Sequence, residues 1–395
     1  LNFAFTREQE AFRQEILDFL KQELPPGWIG ATYYEDELEE EKLWAMGRKL
    51  APKLGQRGWL AMAWPREYGG QERSHIEQTI FKEEMAYNRA PGVDMAGISM
   101  CGPTMLAFGT PEQKKRFLPP IAKGEVFWCQ GFSEPEAGSD LASVRTKAVE
   151  QNGYFVLNGQ KVWTSGGHRA AWMFLLARTD PDAPKHKGIS FLLLDMKTPG
   201  VEVRPLVNII GGHAFNEVFF DNARVPKANL VGQKNDGWTV ATTLLNFERS
   251  GIDRVASARR LLDEVIEFVR EGKKSGRLTQ PVEVVRQKLA EMVIELEVGR
   301  WMGYHVSWMQ QKGQMPWAEA PISKVFGSEL MQRVANVGMQ LLSLYGQLEK
   351  GSKWISLGGR VAHMYQSSLG RTLGGGTSEI QRNLIATRGL GLPRG

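Results

Sequence analysis

The period of the apolar residues changes twice along this chain, and that change limits the architecture more than any single motif. Over residues 1–125 the pattern is helical. Thr6 and Gln9 make a capping box ahead of Phe12, Ile16, Phe19 and Leu20, which recur at helical spacing. Ser74 and Glu77 make a second box. Thr110-Pro111 opens a third helix, with proline at the first helical position, where its missing N–H costs nothing. Over residues 126–235 the period shortens to that of strands, at Tyr154–Asn158, Gln160–Thr164, Trp172–Arg178, Ile189–Asp195, Val201–Pro205 and Glu217–Asp221. The Asn158-Gly159 pair reads as the two-residue turn of a hairpin. From residue 236 the helical period returns, with helices expected near 237–271, 280–312, 318–347, 351–367 and 377–388.

These changes predict an α+β chain of three domains. They are an N-terminal helical domain (1–125), a central β-barrel or sandwich (126–235) and a C-terminal four-helix bundle (236–395). A length of 395 residues suits several packed lobes.

Composition excludes several classes of function. The net charge of +5 is spread along the chain and not gathered in a run, which reads as a solvated surface and not as nucleic-acid binding. No apolar stretch approaches the ~18 residues of a membrane span. The two cysteines, Cys101 and Cys129, form no CxxC, and the six histidines include no HxxxH pair, so no metal site is expected. A reducing, cytoplasmic compartment follows as the default. No GxGxxG follows a strand, and neither a Walker A sequence nor a GxSxG elbow is present. A cofactor that carries its own chemistry would fit that absence.

Dispersed segments carry a family resemblance. Cys129–Asp140 (CQGFSEPEAGSD), Gly159–Gly167 (GQKVWTSGG), Gly211–Pro226, Leu230–Gly237, Gln340–Gly346 (QLLSLYG) and Gly374–Arg382 (GGGTSEIQR) are similar, in order, to segments of acyl-CoA dehydrogenases. The resemblance implies FAD as cofactor and desaturation of an acyl-CoA thioester to a 2-enoyl-CoA. Electrons would pass to an electron-transfer flavoprotein. It also implies a tetramer in which a neighbouring subunit completes each FAD site.

Residue by residue, it places Gln130, Phe132, Ser133, Trp163 and Ser165 at the flavin. Trp163 and Ser165, two apart on a strand, would face one side. Gln340, Gly346, Thr377 and Glu379 match positions at the FAD phosphates and adenosine end, and Thr377 precedes a helix start. Ser139 matches a contact to CoA, while Asp140 is expected to hold its turn.

Proton abstraction at the α-carbon needs a base. Many family members carry a glutamate where this chain has Gly375. Isovaleryl-CoA and long-chain relatives place it on a bundle helix before an arginine. The stretch Asn246-Phe247-Glu248-Arg249 matches that alternative, making Glu248 the expected base, with Asn246 and Arg249 beside the substrate. Gly375 retains an N–H for the thioester oxygen, a kind of donor worth ~10²–10³ in rate. Gly374 stands where an aromatic residue often lies, which suggests a wider acyl pocket for a branched or cyclic group. Glu379 is the poorer candidate for the base.

One departure bears on assembly. The family's Arg-x-x-Phe segment is replaced by Arg270–Arg277, which has no phenylalanine. Either Arg270 or Arg277 substitutes, or the contact is lost. The homotetramer therefore stands beside a mixed tetramer with a related subunit, and the active dehydrogenase beside a FAD-binding structural or half-site subunit. An oxidase, a reductase or a desulfinase-like enzyme would keep the same flavin fold.

Overall fold

A computed structural model of the chain describes residues 4–30, 37–247, 251–274, 281–348 and 351–393. Its contacts divide into two compact units. One comprises Leu1–Glu35, Ser74–Ala90 and Arg249–Gly395, and the other Asp36–Arg73 and Pro91–Glu248. The order of helices, strands and helices expected from the apolar period is present.

The helical elements of the N-terminal region are α1 (Arg7–Glu23), α2 (Glu37–Gln56), α3 (His75–Tyr87), α4 (Gly102–Phe108) and α5 (Pro111–Ala122). All three expected caps form. Thr6, Ser74 and Thr110 each accept the backbone N–H three residues on, and Gln9, Glu77 and Gln113 return the bond. A π-helical segment, Ala96–Cys101, runs into α4.

The second unit is built on one eight-stranded sheet: β1 (Trp128–Gly131), β2 (Lys147–Gln151), β3 (Tyr154–Lys161), β4 (Trp172–Arg178), β5 (Ile189–Asp195), β6 (Val201–Leu206), β7 (Phe215–Pro226) and β8 (Leu230–Val231). The strand order is β6-β7-β3-β2-β4-β5-β8, with β1 parallel to β4. The apolar runs of β4 and β5 are covered on both faces, and Met173, Leu175, Leu192 and Leu194 are fully enclosed with Phe155 and Val218. From α5, Phe117 meets Trp128 and Trp172 edge-on, and Gln113 Nε2 reaches the Ala228 and Leu230 carbonyls. The helix α6 (Gly237–Phe247) closes this unit, with Gly237 against the Ser190 backbone, where a Cβ would approach within 2.5 Å.

The hairpin turn differs from the sequence expectation. The chain reverses at Asn152-Gly153, with φ of 51° and 80°, and not at Asn158-Gly159. β3 runs through the later pair with a register irregularity between Leu157 and Gly159. Both pairs have the composition for a tight turn, so packing decides between them. A Cβ at Gly159 would lie 2.7 Å from Thr146 Oγ1, so the strand needs glycine there for close approach.

The other unit packs α1 and α3 with α7 (Ile252–Lys274), α8 (Val282–Gln311), α9 (Glu319–Leu342), α10 (Arg360–Arg371) and α11 (Ser378–Leu384). Its core holds Leu261, Leu262, Val265, Leu296, Leu330 and Val334. The single helix expected over 237–271 is two helices, α6 and α7, with Gly251 in left-handed backbone before the second. The helix expected at 351–367 begins later, at Arg360.

Candidate functional site

In the sheet unit, the expected flavin residues gather where β1 ends and β3 leaves the sheet. Gln130 lies in β1, half-buried. Phe132 is enclosed between Phe174 and Phe191, so its ring is closed to a ligand. The Ser133 carbonyl accepts the Val162 N–H at 2.9 Å, which brings Ser133 beside Trp163.

A buried ion pair fixes this junction. Lys161 Nζ donates to Glu134 Oε1 at 2.7 Å and to the Phe132 carbonyl at 3.1 Å. Glu134 also accepts the N–H groups of Arg145 and Thr146. Burial alone would raise the Glu134 carboxyl, but the Lys161 ammonium and these donors hold it below its ordinary range. Burial pushes the Lys161 ammonium down to about 8, against the pull of Glu134. At the start of β1, Asp94 Oδ2 accepts the Trp128 N–H at 2.9 Å, and burial lifts that carboxyl to about 7.

Trp163 and Ser165 do not lie on a strand. β3 ends at Lys161, and both residues sit in the bend and turn that follow. Trp163 adopts φ +60° and stays 59 % exposed, touching Phe215 edge-on at 5.8 Å. A left-handed tryptophan costs ~1–3 kcal/mol and persists only where its surroundings enforce it. Ser139 is exposed in the turn whose Asp140 accepts the Ser143 hydroxyl at 2.6 Å and pairs with Lys185. Among the described residues, the hydroxyls of Ser133, Ser139 and Ser165 have no hydrogen-bond partner. An exposed indole, with unpartnered hydroxyls on the adjoining segments, suits a planar, polar-edged aromatic group, so these residues fit FAD.

The helical unit carries Gly375, Thr377, Glu379, Gln340, Gly346 and Arg270. Gly375 and Gly376 are left-handed, at φ +69° and +85°. The Gly375 carbonyl accepts Gln381 Nε2 at 2.8 Å, and its N–H donates to no group among the described residues. Thr377 caps α11 through Ile380 N–H, and the Ser378 N–H returns to the Thr372 carbonyl. The buried Lys324 also reaches that carbonyl, at 3.4 Å. Glu379 is exposed, and its own backbone N–H and Thr377 keep its carboxyl acidic, which suits a base poorly. Gln340 is exposed and accepts from Lys288, while Gly346 is buried. Arg270 pairs with Glu267 on its own helix. Asn246 lies in the last turn of α6, in the sheet unit. Glu248, Arg249 and Arg277 lie outside the described residues.

Asp94, Asn216 and the stacked rings of His168 and His213 join the site with no signal in the sequence. Isolated polar residues carry no pattern, and only the fold brings these together. Among the described residues there is no cluster of metal-ligating side chains, and no helix long and apolar enough to cross a membrane.

The chain matches the family models "Acyl-CoA dehydrogenase, N-terminal domain" over residues 6–125, "middle domain" over 129–223 and "C-terminal domain" over 235–390. It therefore belongs to the acyl-CoA dehydrogenase family, whose members are oxidoreductases. Among its relatives is acyl-CoA dehydrogenase FadE34 of Mycobacterium tuberculosis, 39 % identical over 358 residues, covering 90 % of this chain and 47 % of that protein. The chain thus spans about half the length of that curated relative. Among solved structures it resembles the ChsE4-ChsE5 complex from Mycobacterium tuberculosis, at TM-score 0.87 and 35 % identity, covering 100 % of both chains. It also resembles the Tcur3481-Tcur3483 steroid ACAD, at TM-score 0.87 and 31 % identity, again covering 100 % of both.

Proposed function

We propose that the chain is a FAD-dependent acyl-CoA dehydrogenase that converts an acyl-CoA to its 2-enoyl-CoA, acting in the cytoplasm. The observation that carries the cofactor is Trp163, whose indole stays exposed on strained backbone beside unpartnered hydroxyls. Gln130, Phe132, Ser133, Trp163 and Ser165 would hold the flavin ring, and Gln340, Gly346, Thr377 and Glu379 its phosphates and adenosine end. When bound, FAD supplies the acceptor for the hydride that leaves the β-carbon. The Glu248 carboxylate takes the α-proton, with Asn246 and Arg249 beside the substrate. The Gly375 N–H donates to the thioester oxygen as charge gathers there, and Ser139 contacts CoA. Electrons then pass to an electron-transfer flavoprotein. The chain divides at 1–125, 126–235 and 236–395.

The substrate in this reading carries a bulky, ring-bearing acyl group. The lack of a side chain at Gly374 and Gly375 supports this, as does the likeness to a steroid ACAD. The enzyme works in a mixed tetramer with a related subunit, rather than the homotetramer common in the family. Two related structures, ChsE4-ChsE5 and Tcur3481-Tcur3483, bear the names of two proteins each, and Arg270 is engaged with Glu267 on its own helix. The test is to express the chain alone and with a related subunit, record the visible spectrum, and add linear, branched and polycyclic acyl-CoAs without oxygen. Bleaching of bound flavin by a ring-bearing thioester supports the reading. Flavin that no thioester bleaches, in either preparation, overturns it. Peroxide formation in air would point to an oxidase.

A further inference from the structure

The turn that carries Trp163 and Ser165 is irregular, so something must fix where it stands. The bonds that do so converge on one buried side chain. Asn216 lies in β7 and is fully enclosed. Its carbonyl accepts the Thr164 N–H at 3.0 Å, and its Nδ2 donates back to the Thr164 carbonyl at 2.9 Å. Thr164 sits between the two residues assigned to the flavin. Two positions on, the Gly166 N–H donates to the Ala214 carbonyl at 2.8 Å.

The rest of the Asn216 amide is engaged by two histidines. Its oxygen lies 2.9 Å from His213 Nε2, and its nitrogen 3.2 Å from His168 Nδ1. With Nδ2 already donating to Thr164, this arrangement requires a proton on His213 Nε2 and none on His168 Nδ1. The two rings stack at 4.3 Å and 15°. Partial burial, with His213 and Arg169 nearby, pushes His168 down to about 4, which keeps that nitrogen an acceptor near neutral pH. The His213 backbone N–H donates to Glu40 Oε2, and Arg169 binds the Glu40 carbonyl and Glu41, so the cluster is tied to α2. Flipping the amide would set its oxygen against the Thr164 carbonyl. The network therefore has one orientation.

We propose that Asn216 is a positioning residue for the flavin: its amide, shared between Thr164 and the His168–His213 stack, sets where Trp163 and Ser165 stand. This rests on the reading of those two residues as flavin-facing. A buried asparagine that served only the sheet would stabilise the unit without changing cofactor affinity. Asn229 provides that comparison, being similarly buried and donating to the Leu193 carbonyl at 2.9 Å.

The test uses the full chain with its flavin removed. Amide hydrogen exchange is followed over Val162–Gly167, and FAD is then titrated back. Asn216→Ala is expected to speed exchange in that segment at least tenfold and to weaken FAD by a similar factor. Asn229→Ala is expected to lower the melting temperature while leaving both unchanged. His168→Phe, at a more exposed position, keeps the stack but loses the acceptor. It is expected to retain the fold, loosen the same segment and weaken FAD several-fold, which decides the matter if Asn216→Ala does not fold. Unchanged protection of Val162–Gly167 overturns the proposal. So does a loosened segment with unchanged FAD affinity. If the unaltered chain takes up no FAD, the flavin reading itself falls and takes the proposal with it, while the exchange data report the turn separately.

Discussion

Lys161 and Glu134 form an ion pair of 2.7 Å with side-chain exposures of 0 % and 8 %, and Lys161 Nζ also bonds the Phe132 carbonyl. Their bond links the end of β1 to the end of β3, the two segments that bear the proposed flavin contacts. Replacing Lys161 by Met leaves the Glu134 charge buried without its counter-ion. Such changes cost ~3–5 kcal/mol. Denaturant unfolding of Lys161→Met should show a loss of that order together with weaker FAD retention. A loss near zero would show that the pair does not hold the junction.

The same pair gives a signed pH dependence. The folded Glu134 carboxyl titrates below its ordinary value of 4.5, so below that pH the unfolded chain binds more protons than the folded one. This contribution is complete above pH 4.5 and is lost as pH falls through the lower folded value. Stability measured by urea melts between pH 6 and about 3 should fall less steeply for Glu134→Gln than for the unaltered chain. Parallel slopes would remove Glu134 from that role.

The two Asn-Gly pairs should respond differently to substitution. Gly159→Ala forces a Cβ to within 2.7 Å of Thr146 Oγ1 and 2.8 Å of its Cα. A clash with backbone of this kind costs ~1–3 kcal/mol. Asn158→Ala loses only exposed bonds to Asn222 and should cost ~0.5–1.5 kcal/mol at most. Gly153→Ala, in the turn itself, adds a Cβ at φ +80° and should cost ~1–2 kcal/mol. Thermal melts of the three variants check the order.

At the C-terminal loop, Gly375→Ala places a side chain on backbone at φ +69°, at ~1–2 kcal/mol of local strain. Because the proposed role of Gly375 is its N–H, displacing that group should lower kcat more than it raises KM. A change confined to KM would argue against the oxyanion role.

Much of this can be read from the chain. The bounds of β4 and β5 are those expected, because strands covered on both faces are continuous apolar runs that a turn residue ends on each side. The capping boxes at Thr6, Ser74 and Thr110 are equally legible, since both partners lie within four residues. Asn158-Gly159 misleads because the same dipeptide serves a turn at 152–153 and a close approach to Thr146 at 159, and only the strand pairing tells them apart. The left-handed backbone of Trp163 has no local signature. Asn216, His168 and His213 escape a reading of the sequence because their spacing fits no motif, and β7 brings Asn216 to the turn. The absent loop base is plain at Gly375, whereas the case for Glu248 comes from resemblance.

In the proposed mechanism the proton acceptor lies on Glu248 and not on the glycine loop. Its most direct test is Glu248→Gln, reconstituted with FAD and mixed anaerobically with an acyl-CoA that bleaches the unaltered enzyme. The variant should keep a normal flavin spectrum and thioester binding, with bleaching slowed at least ~10²-fold, as when a general base is lost. Bleaching at the unaltered rate would remove Glu248 from the role.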